Sequence, residues 1–238
     1  MRGKRMFKLI KLEMRKLEFS KYLLGSFALN IIILLWIVTS EGGRLPEGYF
    51  NFEEAFSDIG TYTRISFIIF SGVMLSKLVI DEYKNKTISI LFSYPISRKK
   101  ILSAKLILLS SLTFFMLLIS NLFIAVMFLI ANHILNIVPD VLTTEMLYTE
   151  LTRCIIFTFA ATGISLIPFF FGMLRKSVPT TMVASFIVSL LYMLTMNYYS
   201  IYSSNVLSTI AALIWIIIGV TACYISMRKI EMSDLTYS

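Results

Sequence analysis

The chain has 238 residues, of which 57% are hydrophobic and only 15% are charged. A soluble fold of this size needs more charge to cover its surface, so a water-soluble globular domain is excluded and a membrane is indicated. The net charge is +8, but no basic patch interleaved with exposed aromatics lies outside the apolar runs, which argues for a topology signal and against nucleic acid.

The first element is KRMFKLIKLEMRKLEFSK. Met6, Ile10, Met14, Leu17 and Tyr22 follow helical spacing among Lys and Arg, which predicts an amphipathic elbow helix over 1–21 in the membrane interface. It anchors the first span, or it also touches a partner. Residues 22–238 are predicted as one six-span domain. The predicted spans are 22–39, 65–80, 106–131, 151–171, 178–196 and 206–227, each near the roughly 20 residues that a hydrocarbon core requires. The first exceeds the h-region of about 7–15 residues of a signal peptide and is expected to be a permanent span. The second is short and is expected to reach out through Arg64 and Asp81 by snorkelling.

Basic residues sort by side. Arg2 to Lys21, the 81–105 gap (Lys84, Lys86, Arg98, Lys99, Lys100, Lys105), Arg175 with Lys176, and Arg228 with Lys229 hold nearly all of them. The alternate gaps hold Arg44, Arg64 and Arg153. The positive-inside rule then places both termini and the 81–105 gap in the cytoplasm, with the chain in the cell membrane.

In the first outer loop, 40–62, Tyr49, Phe52, Phe56 and Ile59 make one apolar stripe beside Glu53, Glu54 and Asp58. This predicts a helix lying on the outer interface. The second outer loop, 132–150, contains Pro139 and no Lys or Arg, and the third, 197–205, carries Tyr198, Tyr199 and Tyr202 as an aromatic belt. Within the spans, Pro168 predicts a kink. Asn30 and Asn121 should face protein or a cavity. Thr181, Ser185 and Ser189 stack at i, i+4 and i+8, followed by Tyr192, and Ser208, Ala212 and Gly219 form a second row of small residues. Two readings stand for these rows: close helix packing, or the lining of a translocation path.

Chemistry is sparse. All fourteen acidic residues lie at span ends, in loops, on the elbow or in the tail, and the single histidine is His133. A proton-driven carrier normally carries a buried acid or histidine relay. HExxH is absent and one histidine makes no zinc site. Gly163-Ile164-Ser165-Leu166-Ile167 breaks GxSxG, and Gly3-Lys4 is followed by Arg5 rather than the Ser or Thr of a phosphate-binding loop. No catalytic or metal-binding residue and no cofactor is expected on this chain. Uphill transport would draw its energy from contact with another protein.

That contact is expected in the 81–105 gap. Asn85 or Thr87 can cap a helix whose one face is Ile88, Leu91 and Phe92, and Tyr94 before Pro95 is pushed out of the helical region. Two turns are unstable alone in water and must rest on something. Arg98, Lys99 and Lys100 occupy the first turn of the next helix, where the macrodipole disfavours cations; anionic headgroups or an acidic partner would offset this.

The run from Glu82 to Ile88, then LFSYPISRKK and Ala104-Lys105-Leu106, resembles the pattern of type-2 ATP-binding-cassette permeases, in particular the small bacterial exporters of antimicrobial peptides and phenol-soluble modulins. Lys86 stands where that family often has Gly. The resemblance implies an all-α membrane protein with an elbow helix and a cytoplasmic coupling helix. It implies that Glu82, Thr87, Ile88, Leu91, Phe92, Tyr94, Pro95 and Arg98, with a second contact at Arg175 and Lys176, meet a separate cytoplasmic ATPase that binds Mg-ATP. Two permeases, as a homodimer, and two ATPases would export an amphipathic peptide. Asn30, Asn121, Thr181, Ser185, Ser189 and Tyr192 are the candidate path. Open alternatives are a drug, lipid or sodium exporter of the same type, and a membrane immunity or scaffold protein that does not transport.

Overall fold

The computed structural model describes residues 10–14, 19–42, 49, 51–84, 98–202 and 205–235, and among them there is no strand. Residues 10–14 are helical. The other helices are α1 (Phe19–Gly42), α2 (Phe52–Leu75), α3 (Arg98–Leu135), α4 (Thr144–Ile164), α5 (Ile167–Arg175), α6 (Val178–Tyr202) and α7 (Asn205–Leu235). α2 continues through a π-helical turn, Ser76–Ile80, into Asp81–Lys84. Six of these stretches are long and apolar enough to cross a membrane, with α4 and α5 forming one of them.

Helix ends follow local chemistry. Asn51 accepts from the Glu54 amide at 2.9 Å and caps α2, whose first turn carries Glu53 and Glu54 at the favourable end of the dipole. α3 stops where Asn136 turns left-handed, with φ 49, and Asn132 Oδ1 takes the Val138 amide at 2.7 Å. Thr143 caps α4. The predicted kink appears as the break between α4 and α5, with Pro168 in the first turn of α5, where its missing N–H costs nothing.

Neighbouring spans run antiparallel. Lys105 near the start of α3 reaches Leu78 near the end of the second span, and Tyr49 ahead of α2 packs edge-on against Phe128 late in α3. One end of the bundle holds Lys105, Arg175 and Lys176 and is here the basic end; the other holds Glu53, Glu54, Asp58 and Glu150 and is the acidic end. One buried cluster, including Phe67, Leu75, Leu109, Ala160, Ile164 and Ala212, joins α2, α3, α4, α6 and α7. A second, including Ile37, Phe52, Ile59 and Phe128, joins α1, α2 and α3 toward the acidic end. Apolar side chains such as Leu24, Trp36, Phe115, Ile119, Phe186, Leu194 and Ile217 point outward, as a lipid-facing surface requires.

Lipid offers little hydrophobic drive for helix association, so close contact must supply it. Glycine allows the closest approaches. A Cβ on Gly219 would strike the backbone of Gly163, one on Gly72 would strike Ser185, and one on Gly172 would strike Thr181 and Ile80.

Several boundaries differ from the sequence reading. The second span is not a short run from Ile65 but 29 residues, Phe52–Ile80. The stripe expected to lie on the outer interface is the head of this span, with Phe52, Phe56 and Ile59 buried between α1 and α3. Acids beside an apolar stripe fit an interfacial helix and a capped span start equally well. The expected third outer loop is helical through Tyr202.

Candidate functional site

At the basic end a lysine is fully interior. The Lys105 side chain is 1% exposed, and Nζ donates to the Leu78 carbonyl at 2.9 Å. It pairs with Glu82 Oε1 at 2.6 Å and with Glu13 Oε2 at 3.4 Å. The knot ties three separate pieces together: the N-terminal helical segment, the foot of the second span and the start of α3. A buried ammonium persists only when its protons are answered, and here two carboxylates and a carbonyl do so. Glu13 is buried while Leu12 and Met14 on either side are exposed, so this segment turns its acid to the bundle and apolar side chains outward.

Leu78 belongs to the π-helical turn. Such turns are uncommon and concentrate at functional positions. This one sits directly before Glu82, which opens the 81–105 segment. Thr87, Ile88, Leu91, Phe92, Tyr94 and Pro95 lie outside the described residues. Arg98 begins α3, and its side chain lies outside them too. Arg175 and Lys176 are exposed at the same end. Lys176 adopts φ 46 and closes α5 through its amide to the Gly172 carbonyl. The two cations sit where the macrodipole favours them.

Toward the acidic end a cavity of about 660 Å³ opens among α2, α3, α4, α6 and α7. Glu53, Glu54, Asp58 and Glu150 contribute to its lining, as do Arg64 and Arg153. Arg153 Nη1 donates to Glu150 at 2.6 Å. Arg64 is 8% exposed. It stands twelve residues inside Phe52, roughly 18 Å along the helix at 1.5 Å per residue. Its guanidinium donates to Thr61 Oγ1 at 3.1 Å and lies 4.9 Å from the Phe157 ring centroid. The Tyr192 hydroxyl is an electrostatic neighbour without a well-formed hydrogen bond. Arg64 Nε has no partner, and among the described residues no carboxylate lies within ion-pair distance of it. The sequence reading placed Arg64 at a span end, because an arginine near an apolar run normally marks the water boundary.

The predicted path residues divide. Asn121 lines the cavity and donates to the Leu117 carbonyl at 3.1 Å. Tyr192 is fully buried, edge-on to Trp215 and beside Arg64. Asn30 is buried in α1, and its Oδ1 has no partner. Thr181, Ser185 and Ser189 are fully buried, and their hydroxyls donate to carbonyls of their own helix or the turn before it. Ser185 and Thr181 fill the space left by Gly72 and Gly172. The geometry of this row is that of close packing. Ser208 of the second row lines the cavity, whereas Ala212 is buried. Glu13, Lys105 and Arg64 as interior charges escaped sequence reasoning; the available signal was that Lys105 stands one residue from a strongly apolar run.

Comparison with known proteins gives concordant results. Residues 9–196 match a family described as ABC-2 family transporter protein. The chain is 42% identical over 198 residues to YcbO of Bacillus subtilis (strain 168), described as an uncharacterized protein, across 82% of this chain and 87% of YcbO. No solved structure matches it significantly.

Proposed function

The chain belongs to the ABC-2 family of transporter proteins, and on that footing we propose that it is the permease subunit of an ATP-driven exporter of amphipathic substrates. The family's members are membrane transport subunits, not themselves catalytic, that work with an ATP-binding-cassette ATPase. In the proposed arrangement two copies of this chain pair, two ATPase subunits with bound Mg-ATP sit beneath them, and the basic end faces the cytoplasm. The 81–105 segment receives the ATPase stroke.

The observation that carries this reading is the knot on Lys105. Any displacement of the 81–105 segment pulls on Glu82 at one side and on α3 at the other. Both are fastened to the same ammonium, and the π-helical turn lies between that anchor and the rest of α2. A push from below is thereby passed to two spans and to the N-terminal helical segment together. The acid-rimmed cavity supports a substrate that carries cationic groups on an apolar body, as an amphipathic peptide does.

The test is Leu91→Asp. Its apolar side chain is the sequence's best candidate for insertion into the ATPase, and an unpaired charge buried in that groove would cost more than the lost contact. The variant should reach the membrane at near-normal level, fail to retain the ATPase on co-purification, and abolish ATP-driven export into reconstituted vesicles. Retained ATPase binding and export would mean that the energy enters elsewhere.

A further inference from the structure

Arg64 is a charge buried within the second span, and no carboxylate among the described residues lies within ion-pair distance of it. A guanidinium offers five N–H donors in a planar fork. Here it is more than nine-tenths buried, with one hydrogen bond to Thr61 and a ring face beneath it. Its Nε has no partner. Burying an uncompensated charge is costly, and an ionisable group inside a membrane protein is retained for a reason.

The surroundings are shaped for it. A Cβ on Gly60, one turn earlier, would come within 2.7 Å of Arg64 Nη1, so glycine there gives the guanidinium its room. Arg64 and Asn121 line the part deeper along α2 and α3, Ser208 lines it from the first turn of α7, and the Glu150–Arg153 pair is already bonded to itself. Glu53, Glu54 and Asp58 lie in the outer turns of α2. The cavity is therefore dipolar, with a cation deep inside and carboxylates toward the opening. Leu122, Leu147 and Leu151 also line it and are outwardly exposed, so an apolar flank runs along α3 and α4.

We propose that this cavity is a binding site for a zwitterionic amphiphile. An anionic oxygen group of the ligand, phosphate or carboxylate, sits on the Arg64 fork. Its ammonium lies toward Glu53 and Asp58, and its apolar chain rests on the flank between α3 and α4. Guanidinium matches such planar or tripodal oxygen groups with paired charge-assisted hydrogen bonds. The same chemistry is offered by a phosphatidylethanolamine headgroup and by a lipophilic amino-acid or peptide terminus. The site deepens the transport reading by naming its ligand class, yet binding needs no ATPase, so failure of binding and failure of export are separable.

The test measures binding of two probes to the purified full-length chain in dodecyl maltoside micelles. One is dioctanoylphosphatidylethanolamine and the other is Nα-lauroyl-lysine, with dioctanoylglycerol as the uncharged control. Both zwitterions should raise the unfolding midpoint and the control should not. Arg64→Lys keeps the charge and loses the fork, and should weaken binding by about tenfold; Arg64→Gln should weaken it further. Ala125→Trp fills the cavity from α3 with Arg64 untouched, and should abolish binding even if the arginine variants fold poorly. Stronger binding of the phospholipid assigns the site to lipid, and stronger binding of lauroyl-lysine assigns it to peptide-like ligands. Equal binding by the control, or undiminished binding of both zwitterions in Ala125→Trp, overturns the proposal.

Discussion

Replacing Lys105 by Met tests whether charge, and not shape, holds the basic end together. The methionine chain nearly fills the lysine's volume, so packing changes little. What changes is that the carboxylates of Glu13 and Glu82, with side chains 7% and 26% exposed, lose their shared cation. Breaking a buried pair from one side typically costs about 3–5 kcal/mol. The hydrogen bond to the Leu78 carbonyl contributes about 1 kcal/mol more. Partial hydration of Glu82, the more exposed acid, relieves some of this, and we expect a net loss of about 3–4 kcal/mol. At roughly 2–4 °C per kcal/mol for a chain of this size, the unfolding midpoint in micelles should fall by roughly 10 °C. Adding Glu13→Gln and Glu82→Gln to Lys105→Met removes every charge of the knot, and most of the loss should return, because a neutral replacement of a buried ion cluster is often no less stable. A Lys105→Met chain as stable as the parent, or a triple variant as unstable as the single one, would refute the electrostatic account.

Gly219→Ala should abolish folded expression, since the new Cβ meets the Gly163 backbone, which cannot move aside. Gly25→Ala, whose nearest neighbour is the Phe70 ring edge at 3.2 Å, should shift the unfolding midpoint only slightly. Gly72→Ala should destabilise by about 1–3 kcal/mol through its clash with Ser185, and Ser185→Gly in the same chain should restore most of that; thermal unfolding of the three variants measures the coupling. Single cysteines at Glu54 and Glu145 should label from outside intact cells and one at Asn85 should not, and the reverse pattern would invert the proposed orientation.

The number of spans and the break at Pro168 could be read from the sequence because lipid imposes length and hydropathy directly on each segment. The sorting of basic residues was equally plain: Lys105, Arg175 and Lys176 collect at one end, while Arg64 and Arg153 lie toward the other. Arg64 was not legible: a charge beside an apolar run looks the same whether it ends the span or lies twelve residues inside it, and only the capping by Asn51 decides. Nor was the knot, because Glu13, Glu82 and Lys105 come from separate segments and no local rule pairs them. The hydroxyl row could be seen as a row, but its partners, Gly72 and Gly172, sit on other helices. Small residues mark a close contact in the sequence without naming what they contact.

The π-helical turn at Ser76–Ile80 amounts to an α-helix carrying one surplus residue. Each residue advances an α-helix by about 100°. If that surplus residue moves along the chain by one turn, the residues it passes rotate by a full step while the span stays continuous and keeps nearly all its backbone bonds. Glu82 could thus swing onto or off Lys105 as a dial turns, with no hinge and no change in the depth at which the helix sits. A deletion of one residue within 76–80 would remove the surplus and lock the dial, in the position where Glu82 meets its cation.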